Sequence, residues 1–125
     1  MKLLSKWLVC ICVLLYVSGS THAQPATKQE TLHHVLLLKW KQAASADVKS
    51  NALAILQGMP VKVEGFEQVE IHNLSFSSGE FDVIIIGKFS SDKALKDYEA
   101  HTDHKKFVEA AGPIIDTFSV NDYWK

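Results

Sequence analysis

The chain has 125 residues, thirteen basic against fourteen acidic, with six histidines and two cysteines. Every basic residue is lysine, and the near-neutral chain without arginine lacks the basic stripe that phosphate affinity needs, which speaks against nucleic acid as a partner. That length holds one domain.

Residues 1–23 read as a signal peptide. Lys2 and Lys6 give a positive start, Trp7 to Val17 is an apolar run, and Thr21-His22-Ala23 places small residues where a signal peptidase cuts. The run is about eleven residues, short of the roughly 20 that span a bilayer as a helix, so no stable membrane insertion is expected after cleavage. Cleavage is expected after Ala23, with Ser20 as the second choice, which makes the mature protein secreted or periplasmic. Cys10 and Cys12 fall inside the run, so the mature chain would carry no thiol, as suits an oxidising compartment.

Residues 24–31 are polar, carry Pro25 and read as a linker. Then hydrophobic periods of two and 3.6 alternate. His33 to Lys41 is a strand with His34, Leu36, Leu38 and Trp40 on one face and Val35 and Leu37 on the other. Ser45 is a candidate N-cap for a helix through Gln57, whose stripe is Val48, Ala52, Ile55, Leu56 and Met59. Val63 to Ile71 is a more polar strand suited to a sheet edge, and Ser77-Ser78-Gly79 is a turn. Phe81 to Phe89, rich in β-branched residues, is the strongest strand. Asp92 opens a helix to about His101, Thr102 is a candidate cap for a short helix to Ala111, Gly112-Pro113 breaks it, and Ile115 to Tyr123 closes as a strand.

The order β-α-β-β-α-β predicts an α+β, ferredoxin-like protomer with a four-stranded antiparallel sheet. Helices on one side leave the other face bare. That bare face is expected to carry Leu36, Leu38, Trp40, Val83, Ile85, Phe89, Phe118 and Val120, more apolar surface than a monomer leaves in water. Covering several hundred Å2 contributes on the order of 10 kcal/mol before association costs. A homodimer with sheets face to face is therefore expected, forming a barrel that takes a small apolar or aromatic ligand.

His34-Val35-Leu36-Leu37-Leu38-Lys39-Trp40-Lys41, Phe81-Asp82-Val83 through Phe89, Asp97-Tyr98-Glu99-Ala100-His101-Thr102-Asp103-His104 and the closing Asn121-Asp122-Tyr123 together resemble the stress-responsive dimeric A/B barrel (Dabb) domain. The resemblance covers residues 32–125 and implies a homodimeric α+β barrel. Its best understood member is a plant polyketide cyclase that works by aldol condensation without a cofactor. By that resemblance Tyr98 and His104 are the catalytic pair, Asp122 a supporting carboxylate and His34 a pocket residue. Two positions depart: Thr102 stands where the family usually has proline, and Val83 in place of a histidine in that cyclase's pocket.

Such chemistry needs a base, a donor for the enolate oxygen and a dry cavity. His104 is the candidate base, Tyr98 the donor, and Asp122 the group that would hold the His104 tautomer. His34, Leu36, Leu38, Val83 and Val120 are the expected ligand contacts. His101 and His104 lack a third ligand in register, so no metal is expected, and no cofactor is required. The competing reading is a non-catalytic stress-response protein acting through its stability or self-assembly, with Tyr98 and His104 holding the fold.

Overall fold

The structure is a computed structural model and describes residues 28–125. The expected signal peptide and its cleavage site lie outside the described residues. Strand β1 (Leu32–Trp40) is followed by helix α1 (Ala46–Gln57), strands β2 (Phe66–Asn73) and β3 (Val83–Phe89), helices α2 (Asp92–Ala100) and α3 (Thr102–Ala111), and strand β4 (Ile115–Trp124). The strands form one antiparallel sheet in the order β2-β3-β1-β4. This is the ferredoxin-like protomer that the sequence predicts, with β2 at an edge.

Local chemistry explains most boundaries. The Ser45 hydroxyl accepts from the Val48 backbone N–H and caps α1, and the Ser91 hydroxyl caps α2 through the Ala94 N–H. Pro113 sits in a single 3₁₀ turn, Gly112–Ile114, that ends α3. Strand β2 begins three residues later than the sequence suggests. The chain turns through Met59 to Gly65, and Gly65 has φ +79°, a left-handed conformation that ends extended structure. A side chain there would also strike Ser90 and Ala94.

The helices cover the face expected to be bare. Leu38 and Phe89 are 0% exposed, and Trp40, Val83 and Ile85 are also buried, packed with Ala52, Leu56, Met59, Leu95 and Phe107 from the helix layer. The open face carries Val35, Leu37, Ile84 and Ile86, all half-buried, with Lys39, Lys88 and Glu70 around them. The physical reason is charge. Both faces are apolar, but only one alternates with lysines, and a lysine ammonium stays in water. Leu36 is partly buried on the helix side. Phe118 (65% exposed) and Val120 (47%) lie on that side too, on the edge strand beyond the reach of the helices. Val48, expected in the α1 stripe, is exposed.

Candidate functional site

Antiparallel register places His34 of β1 beside Asp122 of β4 on the helix side of the sheet. Their side chains join there, with His34 Nδ1 2.7 Å from Asp122 Oδ1. A carboxylate accepts, so the Nδ1–H donates and Nε2 is left for another partner. Gly87, which pairs with His34 from β3, has no side chain, and the Phe89 and Phe66 rings fill that space. The two rings stack at 4.3 Å. Tyr98, in the last turn of α2, closes the cluster with its ring 5.3 Å from Phe89 and 5.1 Å from Phe66.

Between α2 and α3 the chain turns at His101, whose extended backbone breaks the helical run. His101 is the true cap of α3, in place of Thr102: its Nδ1 accepts from the Asp103 backbone N–H at 3.0 Å. The break brings His104, in the first turn of α3, back over Tyr98, with ring centroids 4.6 Å apart. His104 Nδ1 lies 3.0 Å from the Glu99 carbonyl oxygen. A carbonyl only accepts, so Nδ1 carries the hydrogen and Nε2 keeps its lone pair. The expected partner of His104 was Asp122; the register of β4 gives that carboxylate to His34, and the Glu99 carbonyl sets the His104 tautomer instead.

His34, Tyr98 and His104, but not Asp122, line a half-open cavity of about 390 Å3 between the sheet and α3, within the size range of small-molecule sites. His34, Leu36, Leu38, Phe118 and Val120 form its sheet wall, and Tyr98, His104, Phe107, Val108 and Ala111 its helix wall. It lies inside one chain, on the helix side, and not between two sheets as expected. Val83 does not line it: four pairings along the sheet from His34, that residue packs into the core and borders a separate depression near Trp40 and Asp82. Sequence reading missed Phe107, Val108 and Ala111, whose spacing along α3 marks one helical face, and also the Glu99 carbonyl, which no side-chain pattern reveals.

Burial favours the neutral forms of both His104 and Tyr98. Burial is the chief cause that lowers the His104 pKa and favours neutral imidazole, with the nearby His34 adding to it; the Glu99 carbonyl opposes the shift. Burial also raises the Tyr98 hydroxyl well above the usual phenol range. Tyr98 is 4% exposed, and its hydroxyl takes no hydrogen bond among the described residues. No fully buried side-chain polar atom among those residues lacks a partner, so this hydroxyl is not fully sealed, and Tyr98 itself lines the cavity. Among the described residues no three His, Cys, Asp or Glu side chains cluster as a metal site would, and no helix is long and apolar enough to cross a membrane.

A search of curated proteins found no match to the chain. Solved structures share its fold. A Dabb family protein with a ferredoxin-like fold from Mesorhizobium loti matches with TM-score 0.64 at 20% identity, covering 76% of this chain and 96% of that one. A dimeric ferredoxin-like protein of unknown function from Jannaschia sp. matches with TM-score 0.67 at 20% identity, over 74% and 97%. Hydroxynitrile lyase from Passiflora edulis matches with TM-score 0.68 at 13% identity, over 78% and 94%. The family profile of the stress responsive A/B barrel domain matches residues 32–125, the whole of the folded unit from β1 to the C-terminus, and this chain belongs to the Dabb family.

Proposed function

We propose that the cavity binds a small apolar or aromatic carbonyl compound and transfers protons on it, in the manner of a cyclase or lyase, without a cofactor. The observation that carries this reading is the pairing of His104 and Tyr98 on one cavity, the first with a free Nε2 and the second with an unpartnered hydroxyl. His104 Nε2 removes a proton made acidic by an adjacent carbonyl, and the Tyr98 hydroxyl donates to the oxygen where negative charge gathers. Leu36, Leu38, Phe107 and Val120 hold the apolar body of the ligand and keep water from it.

The working unit in this proposal is an exported homodimer. Its interface is the open face of Val35, Leu37, Ile84 and Ile86, which would pack on a second copy. The dimeric ferredoxin-like protein from Jannaschia sp. supports that assembly by analogy of fold, and the order of charge, apolar run and small residues in 1–23 supports export.

The test uses 1-phenylpropan-2-one as probe. The purified protein is expected to show a saturable melting shift with it and to speed exchange of its α-protons in D2O, followed by NMR. His104→Ala should abolish exchange, a loss of about 100-fold or more, and leave the melting temperature nearly unchanged. Neither binding nor exchange by the parent protein would sink the reading.

The non-catalytic alternative draws on the close packing of Tyr98 against Phe66 and Phe89. Tyr98→Phe separates the two, because it deletes the hydroxyl and keeps the ring. Loss of exchange at unchanged stability speaks for chemistry; unchanged exchange speaks for packing.

A further inference from the structure

We propose that His34, positioned by Asp122, is a second proton-transfer residue of this cavity, working from the sheet side while His104 works from the helix side. The inference rests on the reading of the cavity as a proton-transfer site and goes beyond it in giving the second proton a carrier.

The geometry supplies two imidazoles with one feature in common. Each has its Nδ1 committed, His34 to the Asp122 carboxylate at 2.7 Å and His104 to the Glu99 carbonyl at 3.0 Å. Each therefore keeps Nε2 for a ligand. Both rings pack on Tyr98, at centroid distances of 6.0 and 4.6 Å, and both line the same cavity. A pair of imidazoles on either side of one phenol is more than a single-base site needs.

The chemistry explains why a second carrier is required. Enolising a carbonyl compound takes one proton from carbon and places one on oxygen. Tyr98 can polarise that oxygen, but burial makes its own hydroxyl a poor proton donor. The balanced step uses both rings. The C–H bond breaks, its proton goes to His104 Nε2, and its electron pair passes to the carbonyl oxygen. That oxygen takes a proton from His34 Nε2. His104 ends charged and His34 neutral, so the site as a whole keeps its charge, and the reverse step restores both. In either state of His34 its Nδ1–H stays on Asp122, so the ring need not turn. Asp122 is thus a positioning residue, acting through His34.

The experiment follows α-proton exchange of 1-phenylpropan-2-one by the full chain and its variants, with circular dichroism to verify folding. His34→Gln should lower kcat about 100-fold, with KM changed little. Asp122→Ala should lower it about tenfold, and Asp122→Asn, which keeps an acceptor oxygen, should recover most of that loss. Exchange by His34→Gln within twofold of the parent overturns the inference and leaves the proposed function standing. Should the parent protein neither bind nor exchange the probe, both fall together. Should His34→Gln fail to fold, 15N spectra of the parent protein decide: hydrogen on His34 Nδ1, with an Nε2 resonance that moves on adding the probe, supports the assignment, and hydrogen on Nε2 alone overturns it.

Discussion

On the helix side of the sheet, Leu38 and Phe89 are wholly enclosed, while Val35, Leu37, Ile84 and Ile86 on the reverse side are only half-covered. Hydrophobicity alone does not separate these sets. What differs is the company each keeps. The enclosed side runs out toward β4 into the His34–Asp122 pair and the cavity. The open side is ringed by Lys88, paired to Glu70 at 2.5 Å, and by Lys39, paired to Glu80 at 2.8 Å. His33 and Tyr123 stack on it as well, 4.7 Å apart. One side is largely enclosed within the chain and borders the cavity; the other has an apolar centre and a charged rim, the pattern of a surface that meets a partner.

The contrast is broken most severely by truncation inside. Phe89→Ala removes a ring that touches Phe66, Tyr98 and His34 and should cost about 3–5 kcal/mol in urea unfolding. A loss below about 1 kcal/mol would mean that the cluster collapses to fill the space. The matching change outside is Ile86→Lys. If the open face pairs with a second copy, an uncompensated charge there should weaken association about 100-fold or more and halve the mass seen by light scattering at micromolar concentration. A dimer that survives would place its interface elsewhere.

Much of this was legible in the sequence, and the failures have identifiable causes. Element order, types and most ends follow from period, caps and breakers. Which side of the sheet the helices take was misread, because Leu36, Leu38, Val83 and Ile85 look no more apolar than Leu37, Ile84 and Ile86. Lys39 and Lys88, two residues apart from those in alternation, carried the answer. At the site, the resemblance brought Tyr98, His104, His34 and Asp122 to notice, and four residues distant in sequence do share one neighbourhood. Their pairing was not legible. Asp122 meets His34 because β1 and β4 are in one register and not the next, and register is settled by the whole sheet. The Glu99 carbonyl that fixes His104 belongs to the backbone, which sequence patterns do not report.

A smaller effect tests how α3 is held over the enclosed side. His101→Ala removes the α3 cap and should cost about 1 kcal/mol. Since His101 sets the angle between Tyr98 and His104, exchange activity should fall further than stability does. Equal and small losses in both would show that packing of Phe107 and Ala111 alone holds α3 in place.

The finest distinction between the two sides is the pH at which each gives way. His104, on the enclosed side, has a folded pKa lowered from 6.5, chiefly by burial. The unfolded chain then binds its proton first, so this contribution to stability is complete above 6.5 and is lost as pH falls through the folded value. Glu70, on the open side, is lowered from 4.5, chiefly by its hydrogen bond to Lys88 and then by the charge of that lysine. Its contribution is complete above 4.5 and lost as pH falls further. Acid should therefore weaken the two sides in sequence, the cavity side first. His104→Asn should flatten the upper part of the melting-temperature profile and leave the lower part, while Glu70→Gln should do the reverse. Because the Glu70–Lys88 pair lies at the partly exposed sheet surface, its part should also shrink in high salt, whereas the half-buried His104 should keep its own. A single pH step that both substitutions remove together would show that the two sides of the sheet are not separable in this way.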